Sequence, residues 1–188
     1  RVIRRIGVCD LVVDKSRTIY ASLVRSIVYQ QLTGKVAAII FGRFLKLFPG
    51  RKFPEPERVL MEPFEQLRGV GLSNQKVGYI QNIAQAAKDG ILPDSRQANR
   101  MSDDELIDRL TSIKGVGRWT VEMLLIFRLG RPDVLPATDY GVRKGFALAK
   151  GWAELPKPKE LLAAGECWAP YRTVATWYLW RTADTGTL

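Results

Sequence analysis

Residues 106–130, LIDRLTSIKGVGRWTVEMLLIFRLG, read as helix, hairpin, helix, and every other part of the chain is consistent with that reading. Ser102-Asp103-Asp104-Glu105 stands immediately before them as a capping box, with acids suited to the positive end of a helix. Leu106, Leu110 and Ile113 then fall on one helical face. Lys114-Gly115-Val116-Gly117 is a tight turn in which both glycines are free to take positive φ. The stretch after the turn, RWTVEMLLIFRLG, is apolar on most sides, so that helix is expected to be central and buried. The hairpin motif spans about 102–129.

Working outward, the helical period recurs along the chain. Ile19, Leu23, Val24, Ile27 and Val28 share a face, and Val36, Ile40, Phe44 and Leu47 form a second stripe that opens at Thr33 and stops at Pro49-Gly50. FPEPERVLMEP reads as a connector with one helical turn, and PFEQLRG as a short helix ending at Gly69. Ser73 caps a longer helix that ends at Asp89-Gly90. Beyond the Gly130–Pro136 connector, helices are expected from near Thr138, over Lys159–Ala164 and over Tyr171–Thr182. No run alternates as a strand does, so the fold class is all-α, with eight to ten helices and short links. LRGVGLSNQKV (67–77) and IKGVGRWTVEM (113–123) look alike, a sign of two related turns and not of a repeat array.

Composition narrows the chemistry. The 188 residues carry 29 lysines and arginines against 19 aspartates and glutamates, a net charge of +10. In a chain with a packable core, that excess points to a polyanionic partner, the plainer alternative being a soluble basic protein. There is no histidine, which excludes His triads, His-ligated zinc and a His general base. Cys9 and Cys167 are too few for an iron–sulfur cluster and suggest no disulfide framework. The apolar run Val36–Phe48 is broken by Arg43 and Lys46, so no membrane span is expected. The basic start lacks the pattern of a signal peptide. With the compact length, this suggests a monomer in a prokaryotic cytoplasm, near the nucleoid.

The hairpin suits phosphate. Amides after the turn point out from the start of the second helix, where N–H groups and the helix dipole favour an anion. Nothing there reads a base edge, so the contact is expected to be independent of sequence. An ordinary αα turn would also use G-x-G; the capping box, the apolar helix and the charge favour the phosphate reading. Arg118, Lys35, Lys76 and Lys144 are candidate phosphate contacts, individually no different from solvated surface charges.

IKGVGRWTVEMLLIF followed by DVLPATDYGVRKGF resembles the helix-hairpin-helix DNA glycosylase superfamily, in particular its 3-methyladenine DNA glycosylase II type, whose members excise alkylated bases. IVYQQLTGKVAA and WAPYRTVATWYLWR are similar to that family's early turn and last helix, so the resemblance runs from about Ile27 to Arg181. It implies two helical lobes with the active-site cleft between them, one of about 33–130 and one formed by the N-terminal helices plus about 131–188. It also implies that Asp139 is the catalytic carboxylate. On position alone Asp139 is equally a helix cap, but Thr138 is a fair cap too, which would leave Asp139 to face a pocket.

The same resemblance implies a base pocket of Trp119, Tyr140, Trp180 and Met123, with Met123 and Arg181 standing where bulkier aromatic residues often occur. Trp168 and Trp177 read as core. The wedge that fills the gap left by an extruded base is implied at Gln31, with Leu32 as its rival. Gly115, Gly117 and Arg118 are implied to grip phosphate, and the backbone carbonyls of Thr111, Ile113 and Val116 to hold a monovalent cation, Na⁺ or K⁺. No organic cofactor is expected. Related glycosylase–lyases carry a nucleophilic lysine where this chain has Trp119, and an indole cannot form a Schiff base. The expectation is a monofunctional enzyme acting on double-stranded DNA that contains 3-methyladenine, 7-methylguanine, ethenoadenine or hypoxanthine. Two alternatives remain: a non-catalytic helix-hairpin-helix DNA-binding module, and a glycosylase for other damaged bases.

Overall fold

The computed structural model describes residues 2–50 and 52–186. Among the described residues there are twelve α-helices and no strand, the all-α class that the periodicity predicts. Contacts divide the chain into two compact units, residues 15–124 and residues 1–14 with 125–188.

α1 (Val2–Ile6) belongs to the second of these units. The first unit opens with α2 (Ile19–Tyr29), whose N-cap Thr18 accepts from Ala21 N–H. α3 (Gly34–Lys46) is capped by Thr33. α4 (Pro56–Met61) and α5 (Phe64–Gly69) are short; each begins on a proline-containing segment, where the fixed φ suits a first turn. α6 (Asn74–Lys88) starts at Ser73, as expected. α7 (Ser95–Arg100) is a helix that periodicity does not predict: it is only six residues long, and its signal is the Asp94/Gln97 capping box. α8 (Asp103–Thr111) carries the expected Ser102/Glu105 capping box. α9 (Arg118–Leu124) buries every residue from Thr120 to Leu124.

α2 belongs with α3–α9. Its residues Leu23, Val24, Ile27 and Val28 have no solvent exposure, and the helix packs against α6 and α9. This corrects the expected division at residue 33: apolar burial places α2 in the first unit, and the boundary lies at residue 15.

The helix expected to continue from α9 changes winding at Leu125. Leu125–Leu129 is π-helical, and Gly130 (φ 68°) ends it, with Arg131 N–H donating to Leu125 O at 2.9 Å. This segment lies in the second unit, not in the first as the expected bound of 130 implied. α10 (Tyr140–Lys150), α11 (Pro158–Gly165) and α12 (Arg172–Thr185) complete that unit. Its core joins Leu135, Ala137, Val142, Phe146, Leu161 and Leu179, with Trp168 packed on the edge. Trp177 is buried, whereas Trp168, also expected in the core, is half-buried at its edge. α10 and α12 lie against each other at Gly145, where an added β-carbon would run into the Leu179 carbonyl. Among the described residues no helix is long and apolar enough to cross a membrane.

Candidate active site and nucleic-acid interface

Residues 131–137 lead into Asp139 and are stitched to the start of α12. Arg172 donates to both carboxylate oxygens of Asp133, each at 2.7 Å, and its backbone N–H reaches Asp133 Oδ1 at 3.1 Å. The Arg172 guanidinium holds the Asp133 carboxyl below the usual carboxylate range. Thr173 Oγ1 donates to Arg131 O and accepts from Val134 N–H, and Thr176 Oγ1 donates to Val134 O. Two buried threonines and one ion pair therefore fix a loop without regular structure.

Asp139 is itself the N-cap of α10. This corrects the expectation that Thr138 caps the helix: Thr138 is exposed, and Asp139 Oδ1 accepts from Val142 N–H at 2.8 Å. The same oxygen accepts from Trp180 Nε1 at 2.9 Å. Capping and facing a functional partner are thus not alternatives; one oxygen does both. The indole reaches Asp139 because residue 141 is glycine: a β-carbon there would lie 3.0 Å from Trp180 Cδ1 and 3.2 Å from Asp139 Oδ1.

Trp180 is fixed from another side by Phe127 of the π-helical segment, stacked on it with centroids 5.5 Å apart and planes at 17°. Phe127 O in turn accepts from Asp14 N–H at 2.8 Å. One face of the indole is therefore covered by protein, and its edge is committed to the carboxylate. Tyr140, the first residue of α10, is 65% exposed. Neither Gly141 nor Phe127 is among the residues singled out from the sequence. The glycine two places after the acid is a readable signal; the π turn that aims Phe127 is not.

In the first unit the hairpin forms as expected, with one change. Gly115 has φ 102°, but Gly117 is not in the positive-φ region. Gly115 is required twice over, since a β-carbon there would also enter the ring of Tyr79. Gly117 borders open space, with nothing within 4 Å of where a β-carbon would stand. Asn82 Nδ2 donates to Lys114 O at 3.1 Å, tying the hairpin to α6. Arg118 keeps 62% of its side chain exposed, while its Nε donates to the buried Glu122 at 3.0 Å. Ile113 O accepts from Val116 N–H at 2.9 Å. Carbonyl oxygens such as those of Thr111, Ile113 and Val116 are hard donors, the kind a monovalent cation takes. Trp119 is half-buried and Met123 buried, both on α9 of this unit, whereas Asp139, Tyr140 and Trp180 belong to the other.

Gln31 and Leu32 are both exposed in the turn after α2. Gln30 is not a mere polar end: its Nε2 donates to Thr120 Oγ1 at 3.2 Å, joining the turn to the hairpin's second helix. Lys76, read as a phosphate candidate, instead donates to the carbonyls of Val28 and Gln30, each at 2.8 Å. Periodicity shows a lysine on a polar face and cannot show which backbone it meets. Lys35 is exposed, and Arg181 pairs with Asp184 at 3.1 Å.

Comparison with known proteins gives these features a context. The family model for the HhH-GPD superfamily of base excision DNA repair proteins matches residues 24–170. DNA-3-methyladenine glycosylase 1 of Schizosaccharomyces pombe is 44% identical over 164 residues, covering 87% of this chain and 72% of that protein. A solved structure of the 3-methyladenine DNA glycosylase Mag1 from that yeast, in complex with abasic DNA, superposes with a TM-score of 0.90 at 40% identity, covering 98% of this chain and 90% of that one. A DNA-3-methyladenine glycosidase from Bacillus halodurans gives a TM-score of 0.85 at 37% identity, covering 98% and 83%.

Proposed function

The chain belongs to the HhH-GPD superfamily of base excision DNA repair proteins, and from that premise we propose that it is a monofunctional DNA glycosylase. It extrudes alkylated bases, 3-methyladenine and 7-methylguanine first among them, from double-stranded DNA and hydrolyses them off, leaving an abasic site. The observation that carries this is the Asp139 carboxylate, pinned on one oxygen by Val142 N–H and Trp180 Nε1. Its relatives named as 3-methyladenine glycosylases support the substrate class.

The chemistry is that of a fixed anion. As the N-glycosidic bond breaks, its electron pair leaves with the base, and positive charge grows on the deoxyribose ring. A carboxylate beside C1′ stabilises that charge and takes the proton as water adds to C1′. A base already carrying an alkyl group and a positive charge departs without a strong general acid, which suits a chain without histidine. Two donors on Oδ1 keep the anion from moving as the charge develops. The Phe127–Trp180 stack holds the donor itself in place.

The other candidates take roles by the same resemblance. Trp119, Tyr140, Trp180 and Met123 contact the extruded base; cationic bases suit such aromatic partners. Gln31 fills the gap left in the duplex, with Leu32 beside it. Gly115, Gly117 and Arg118 grip a phosphate, and the carbonyls of Thr111, Ile113 and Val116 hold a Na⁺ or K⁺ ion. The enzyme works as a monomer on genomic DNA. The expectation of a prokaryotic cytoplasm draws no support from relatives that include both yeast and bacterial proteins.

Methylated duplex DNA incubated with wild type and Asp139→Asn tests the reading. Wild type releases free 3-methyladenine and 7-methylguanine; the variant is slowed roughly 10²–10³-fold while still binding abasic DNA. Binding by both with release by neither would identify a DNA-binding module. A covalent adduct trapped by borohydride would identify a lyase, against the expectation from Trp119.

A further inference from the structure

The turn after α2 has little packing of its own. Gln31 and Leu32 are exposed, and Gln31 holds a left-handed backbone, φ 55°. That conformation is unfavourable for a residue with a β-carbon. The backbone just before it is held from α6. Lys76 Nζ donates to Val28 O and Gln30 O, both at 2.8 Å, at the end of α2 where unsatisfied carbonyls gather negative charge. Partial burial lowers the Lys76 pKa from the ordinary lysine value, as for an ammonium that has given up water for these carbonyls.

α6 presents two more residues at helical spacing along the hairpin. Tyr79 lies against Gly115, three residues after Lys76, and Asn82 holds Lys114 O three residues later. The Gln30–Thr120 bond closes the connection from the other side. One helix therefore touches both the turn that carries Gln31 and the hairpin that carries Gly117.

We infer that Lys76 is a positioning residue for base extrusion: its ammonium pins the end of α2 so that Gln31 stands in fixed register with the hairpin. This rests on the reading of Gln31 as the wedge. A phosphate contact would direct the ammonium outward, whereas two of its three N–H groups are spent on backbone carbonyls.

The test compares Lys76→Met, Lys76→Arg and Gln31→Ala on two substrates under single-turnover conditions. One is a duplex with 7-methylguanine paired to cytosine; the other places the lesion opposite a one-nucleotide gap, where extrusion costs little. Lys76→Met should slow excision from the paired duplex roughly ten- to hundredfold and from the gapped one by less than about threefold. It should also weaken the fluorescence rise of a neighbouring 2-aminopurine, and Lys76→Arg should restore most of the loss. Equal loss on both substrates would overturn the inference, because global destabilisation does not distinguish them. So would a shallower salt dependence of binding with extrusion unchanged, the mark of a phosphate contact. If Gln31→Ala slows only the paired substrate and Lys76→Met does not, the role of Lys76 falls and the wedge stands. If Gln31→Ala spares the paired substrate, both fall.

Discussion

Two turns in the first unit share the letters G-V-G and are built differently. By sequence, Gly69 and Gly71 correspond to Gly115 and Gly117. By backbone the register slips by two: the positive φ falls on Gly71 (107°) in one and on Gly115 (102°) in the other. Aligned on those glycines, each turn continues with a buried aliphatic residue, Leu72 or Val116, then one residue, then a helix. The residue before the helix makes the difference. Ser73 spends its hydroxyl on Lys76 N–H, closing its helix start internally. Gly117 has no side chain to cap with and borders open space, so no hydroxyl closes this helix start as Ser73 closes the other. A pattern of glycines marks a turn; the residue before the helix decides whether a side chain closes it.

Substitutions can break this pair apart. Gly115→Ala should cost most, on the order of 3 kcal/mol, because the new methyl meets the Tyr79 ring and the backbone resists at once. Urea denaturation should show the loss, and binding to abasic DNA should fall with it. Gly71→Ala should cost about 1–2 kcal/mol: the conformational penalty is similar, but the methyl would meet only Ile40, at 3.2 Å. Ser73→Ala should remove about 1 kcal/mol with little change in DNA affinity, since its hydroxyl is already bonded within α6. Gly117→Ser is the sharpest comparison. It installs the cap of the first turn in the second, so stability should change by only about a few tenths of a kcal/mol. DNA affinity at moderate salt should nevertheless drop, as measured by fluorescence anisotropy. Unchanged affinity would mean that the hairpin amides do not meet phosphate.

Much of the fold is legible in the sequence. Thr18, Thr33, Ser73 and Ser102 cap helices as short-range chemistry dictates, and the apolar stripes face inward except at Val36, which begins α3's expected stripe and is exposed. α7 escapes because six residues show too little periodicity, and the π turn at Leu125–Leu129 because hydrophobicity does not report winding. In the site, Asp139 can be singled out, yet its double use as cap and partner of Trp180 cannot be seen. Trp180 Nε1 and Asp139 Oδ1 lie 41 positions apart, brought together by the close approach of α10 and α12 at Gly145. Lys76 misleads for the same reason: its partners Val28 and Gln30 are 48 and 46 positions away.

Most helices, most of their caps and the place of the glycine turn are written in the order of the residues, because each depends on neighbours within a few positions; Asp139 is singled out by resemblance to the family. Which donor holds the carboxylate, which ring steadies that donor and where the Lys76 ammonium goes are settled only in the folded molecule. Those choices depend on distances between helices remote in the chain, and packing sets such distances.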